Sequence, residues 1–157
     1  MKTLIMLSAI PASGKSTWAK RYQASHPSTY ILSSDAIRME LTNGVYADQS
    51  KQKEVWETFE RRIHEYAQIP NATVILDALN DVNDVRYKYL STTPEFDKKI
   101  LVLFPSNMER SKFYNHLRME EVRVPDGILE MLVNKFEKPD ERVLYLLDEI
   151  HYVYWEI

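Results

Sequence analysis

The sequence predicts an α/β three-layer sandwich with a mainly parallel sheet. Three observations predict it. The apolar runs at residues 4–7, 72–76 and 99–104 are continuous rather than alternating, as in strands buried on both faces. Segments of helical composition separate them, so strands and helices alternate along the chain. The first run passes straight into a turn with Gly14, Lys15, Ser16 and Thr17, a layout that places a ligand beyond the carboxyl ends of the strands.

The elements follow in order. After strand 4–7, a helix over 15–25 ends at His26 and Pro27, proline being a stop signal. Residues 29–32 read as a strand. Ser33, Ser34 and Asp35 are three candidate caps for a helix over 36–41, which Asn43 and Gly44 close. Val55, Phe59, Ile63 and Tyr66 make one apolar stripe and predict a helix over 48–68. Its other face carries charges in i,i+4 pairs, the pattern of a solvated surface.

Strand 72–77 ends in Asp77. A helix over 81–91 follows, then strand 99–104, stopped by Pro105. Ser106 is expected to cap a helix over 107–117, and 118–124 is a charged connection. Pro125 suits the first turn of a helix over 126–136. A short helix over 141–147 and a strand over 150–154 complete the chain, although 143–146 also has strand composition.

At 157 residues the expectation is one domain, 1–157. The 45% hydrophobic and 27% charged fractions are those of a globular protein. With no cysteine there is no disulfide framework, thiolate zinc site or cysteine nucleophile, which suits a cytoplasmic location. A net charge of −3 does not mark a general nucleic-acid binder, so polynucleotide contact needs a local patch. The first apolar run is short for a signal peptide, and cleavage after Ala12 would destroy the turn. No run approaches the roughly 20 residues needed to cross a bilayer. The four histidines share no metal-like spacing.

The stretch 9–17 fits the G-x-x-x-x-G-K-[ST] phosphate loop, with Ala9 in place of the first glycine. Its backbone N–H groups and helix dipole favour an anion. Ala12, Ser13, Gly14, Lys15, Ser16 and Thr17 are therefore the expected ATP-binding residues. Lys15 would reach the β- and γ-phosphates, and Ser16 would hold Mg²⁺.

Parallel topology brings Asp35 and Asp77 to the same edge. Asp35 is a candidate acceptor base or a helix cap, roles that can coexist. Arg38, three residues on, is a candidate clamp for an acceptor phosphate or a solvated arginine. Asp77 ends its strand as a Walker B carboxylate would and could hold Mg²⁺ through water, with Asn80 bonding substrate or backbone, or Asn80 and Asp81 serving as turn residues. Arg110, Lys112, Arg118 and Arg123 sit around a connection between helices, which predicts a helical lid over about 107–124; a plain charged surface is the rival.

These residues resemble the 5′-polynucleotide kinase domain of phage and bacterial end-repair enzymes. The likeness runs through IPASGKSTWA at 10–19, Ser33, Ser34, Asp35 and Arg38, VILDALN at 74–80, and 118–125. It departs at Leu79, where a hydroxyl residue is common. The resemblance implies a P-loop kinase-like fold and transfer from ATP to a 5′-hydroxyl nucleic acid end. It would make Asp35 the general base, Arg38 the clamp, and Arg118 or Arg123 the lid arginine. A P-loop kinase of a nucleoside or other small alcohol, and an ATPase-only nucleotide switch, are the alternatives.

Overall fold

The computed structural model describes residues 1–45 and 48–154. Five strands, β1 (Thr3–Ser8), β2 (Thr29–Ser33), β3 (Thr73–Asp77), β4 (Lys98–Leu103) and β5 (Glu149–Tyr152), form one sheet in the order β2-β3-β1-β4-β5. Every pairing is parallel. The helices are α1 (Lys15–Ser25), α2 (Ser34–Leu41), α3 (Gln52–Tyr66), α4 (Asn83–Ser91), α5 (Met108–His116), α6 (Asp126–Lys135) and α7 (Glu141–Leu146), with a 3₁₀ turn at Glu120–Val122. Residues 143–146 are thus helical, not strand. No helix among the described residues is long and apolar enough to cross a membrane.

The alternation of β1 explains the layers. Leu4 and Met6 join one buried cluster with Phe59, Ile63, Val74 and Leu90, beneath α3 and α4. Ile5 and Leu7 point the other way, to Ala19, Ile100, Val102 and Phe104, where Trp18 and Tyr22 of α1 also pack. Strand β1 is therefore apolar on both faces because both are covered. The fully buried Phe59 ring alone removes enough apolar surface to be worth about 1.5–3 kcal/mol.

Several boundaries differ from expectation for local reasons. Helix α3 begins at Gln52 rather than 48, because the Asp48 carboxylate accepts the Ser50 N–H at 2.9 Å and folds a turn there. Asn107, not Ser106, caps α5: its side chain accepts the Arg110 N–H at 3.0 Å. Helix α1 ends at Ser25 as expected, and His26 takes the extended conformation that the residue before a proline favours.

Candidate active site

Strand β1 delivers the phosphate loop to the carboxyl edge of the sheet. Ala9 is buried and donates its N–H to Leu79 O at 2.9 Å, and it lies outside the residues with positive φ, so no glycine is needed there. The left-handed positions are Ala12 (φ 58°) and Gly14 (φ 88°). Ser13 Oγ donates to Ile10 O at 2.7 Å and pins the turn. Gly14 caps α1 without a side chain, which leaves the first-turn N–H groups directed at one point outside the helix.

Around that turn the structure gathers three of the expected residues. Ser16 Oγ donates to Asp77 Oδ2 at 2.9 Å, and Lys15 Nζ stands 3.9 Å from Asp77 Oδ1. Lys15 and Asp77 are both buried. Among the described residues no cluster of three His, Asp or Glu side chains could hold a metal. A hydroxyl beside a carboxylate nevertheless fits Mg²⁺, which takes few protein oxygens and completes its shell with water and phosphate.

Asp35 and Arg38 stand one strand away, since Ser33 of β2 pairs with Asp77 of β3. Of the three candidate caps, Ser33 is the one used: its Oγ accepts the Ala36 N–H at 3.1 Å. Asp35 instead accepts Arg38 Nη1 at 2.7 Å, an i,i+3 ion pair whose arginine is buried and whose carboxylate is half-exposed. Gln52, which carries no motif signal, takes the other edge of the same guanidinium.

On the opposite flank a cavity of about 310 Å³ opens between the phosphate loop and α5. Ala12, Gly14, Thr17 and Arg21 line one wall, and Arg110, Tyr114 and Arg118 the other. The Arg110 guanidinium lies 4.6 Å from the centre of the Tyr114 ring. Arg21 and Tyr114 were missed, although each was legible: Arg21 follows Gly14 and Thr17 on one helical face, and Tyr114 follows Arg110 by four. Arg123 is exposed, is not among the lining residues, and donates Nε to Arg118 O at 2.8 Å. The hairpin of α5 and α6 is fastened by buried Asn115, which bonds both the carbonyl (2.6 Å) and the N–H (3.0 Å) of Val124.

Asn80 is buried, and its Nδ2 donates to Leu7 O at 2.7 Å, so that side chain ties β1 to the turn after β3. Beneath it lies Arg86, wholly buried and unanticipated from sequence. It bonds Asn80 O, Asn83 Oδ1, Ser8 Oγ and Glu137 O. Burial pushes the Arg86 guanidinium below its ordinary pKa, opposed by the fields of Asp81, Glu137 and Asp140.

The family model described as "Chromatin associated protein KTI12" matches residues 2–145. The chain belongs to the KTI12 family. Among solved structures, Chaetomium thermophilum Kti12 in complex with ADP-AlF3 is similar with a TM-score of 0.69 and 18% identity, over 98% of this chain and 89% of that one. A chain of the Pnkp1/Rnl/Hen1 RNA repair complex reaches 0.74 at 18% identity, over 92% of this chain but 45% of that one. A fungal RNA kinase reaches 0.69 at 12% identity, over 99% and 75%. At such identities the likeness is one of fold, and the fold of this KTI12-family chain is that of P-loop kinases.

Proposed function

We propose that the chain is an ATP-dependent phosphotransferase that moves the γ-phosphate to the 5′-hydroxyl of a DNA or RNA end. The observation that carries this reading is the Asp35–Arg38 pair, closed at 2.7 Å one strand from the Lys15, Ser16 and Asp77 cluster. A nucleotide switch has no need of an acceptor base. The RNA repair complex and the RNA kinase among the similar structures support a polynucleotide acceptor. We read residues 1–157 as one unit, with about 107–124 as its lid.

The residues then divide the work. The N–H groups of 12–17 and the Lys15 ammonium hold the donor phosphates. Ser16 and Asp77 would hold Mg²⁺, which when bound spreads positive charge over the β- and γ-phosphate oxygens. Asp35 accepts the proton of the acceptor hydroxyl as that oxygen attacks the γ-phosphorus. The new P–O bond forms, the bond to the β-bridging oxygen breaks, and ADP departs with the electron pair. Arg38 grips the acceptor's neighbouring phosphate, and Arg118 is read as the lid arginine ahead of Arg123, a choice supported by its place in the lining of the cavity beside Gly14.

The test is incubation with γ-labelled ATP, Mg²⁺ and either 5′-hydroxyl oligonucleotides or a panel of small alcohols. Label on the oligonucleotide is expected; label on small alcohols alone rejects the polynucleotide acceptor. The family match favours a second reading, a nucleotide-hydrolysing regulator, because its description names a chromatin-associated protein and no kinase. Free phosphate as the sole labelled product would establish that reading instead. Asp35→Asn should abolish transfer; loss of thermal stability at an unchanged rate would assign Asp35 a structural role.

A further inference from the structure

We infer that Gln52 is the positioning residue of the acceptor arginine; the consequence for catalysis, though not the geometry, rests on the function proposed above. A guanidinium has five N–H donors. Arg38 gives Nε–H and one Nη2–H to Gln52 Oε1, at 3.1 and 3.0 Å, and one Nη1–H to Asp35 Oδ1 at 2.7 Å. One N–H on each terminal nitrogen is left without a protein partner among the described residues. The outer edge of the fork, between the two terminal nitrogens, is the edge that matches two oxygens of a phosphate.

Held only by Asp35, Arg38 could swing about its long stem. Gln52 fixes the Nε edge, so the outer edge keeps one direction. The two donors also settle the amide orientation, because only the oxygen can accept them. A neutral acceptor is what this task requires: a second carboxylate would offset the arginine charge that an acceptor phosphate must feel.

Gln52 does not serve its own helix in another way. It is the first residue of α3, whose N-cap, Lys51, makes no side-chain cap bond. Its side chain reaches back 14 residues to α2, across the packed α2–α3 contact. Arg38 is only 8% exposed, so this partner is made in a site sheltered from water, where a hydrogen bond to a charged group counts for more.

The experiment compares wild type with Gln52→Met, which keeps side-chain length but has no acceptor oxygen, and with Gln52→Glu, which keeps one. In ¹⁵N NMR the Arg38 Nε–H signal should exchange slowly in wild type and in Gln52→Glu, and be lost in Gln52→Met. In the kinase assay, the preference of wild type for a nucleoside 3′-phosphate over the plain nucleoside should fall about tenfold in Gln52→Met, through acceptor KM, with ATP KM unchanged. A protected Arg38 signal in Gln52→Met, or an unchanged preference, overturns the inference. If wild type phosphorylates no acceptor, the proposed function fails, and the NMR comparison still decides whether Gln52 holds Arg38.

Discussion

Replacing Arg86 by methionine isolates the one arginine of the described residues that water does not reach. Its four hydrogen bonds are 2.7–2.9 Å long. Methionine retains much of the stem, so the cavity contribution is small. The acceptors differ in what remains to them. Asn80 O keeps the Ser8 hydroxyl at 2.8 Å, and Asn83 Oδ1 keeps the Asp140 N–H at 3.2 Å. Glu137 O has no other hydrogen bond among the described residues, and stranding a buried carbonyl costs about 1–3 kcal/mol. Three further charge-assisted bonds and the contact with the Phe136 ring, 5.3 Å away, are lost too. Relief from burying a cation offsets part of this. The net loss should be about 3 kcal/mol, or roughly 6–12 °C in Tm for a chain of this size. Scanning calorimetry of both proteins at equal concentration measures it. A Tm within about 2 °C of wild type would refute the view that Arg86 pins the segment after α6 to the end of β1.

Three other outcomes are expected. Lys15→Ala should weaken binding of a fluorescent ATP analogue at least about tenfold while leaving Tm nearly unchanged, since one removed phosphate contact is worth about 1.4 kcal/mol or more; equal affinity would detach Lys15 from the donor site. Arg118→Ala should lower kcat about a hundredfold and Arg123→Ala less than threefold, because only Arg118 lines the cavity beside Gly14; the reverse order in a turnover assay would exchange their roles. Hydrogen bonding from Arg62, against a smaller opposing effect of burial, holds the Glu40 carboxyl below its ordinary pKa. Its contribution to stability is therefore complete above the unfolded carboxylate value, near pH 4, and is lost as pH falls through the lower folded value. Glu40→Gln should flatten urea stability against pH in that acid window, and cost at most about 1 kcal/mol at neutral pH.

Asp35 shows where sequence reading ran out. Ser33, Ser34 and Asp35 are all good caps, and composition cannot choose among them. Once the chain folds, the Ser33 side chain meets the Ala36 N–H, and Asp35 turns to Arg38. Ser106 and Asn107 posed the same ambiguity, and geometry selected Asn107. Gln52 had no local signal because its meaning depends on a residue 14 positions away. Arg86 reads as one more polar helix residue until α4 packs over the Ser8 hydroxyl and the Glu137 carbonyl.

The phosphate loop was the most legible feature, because it is local: a strand, a glycine-containing turn and a helix start, all within one short stretch. Continuous apolar runs likewise determined a parallel sheet covered on both faces, since burial leaves no polar face to alternate. Only the tertiary structure decided that Asp77 meets Ser16, that Arg118 rather than Arg123 faces the loop, and that Arg38 is gripped from two helices. Contacts between distant residues depend on strand order and helix packing, and those arise from the folded whole rather than from any stretch of chain.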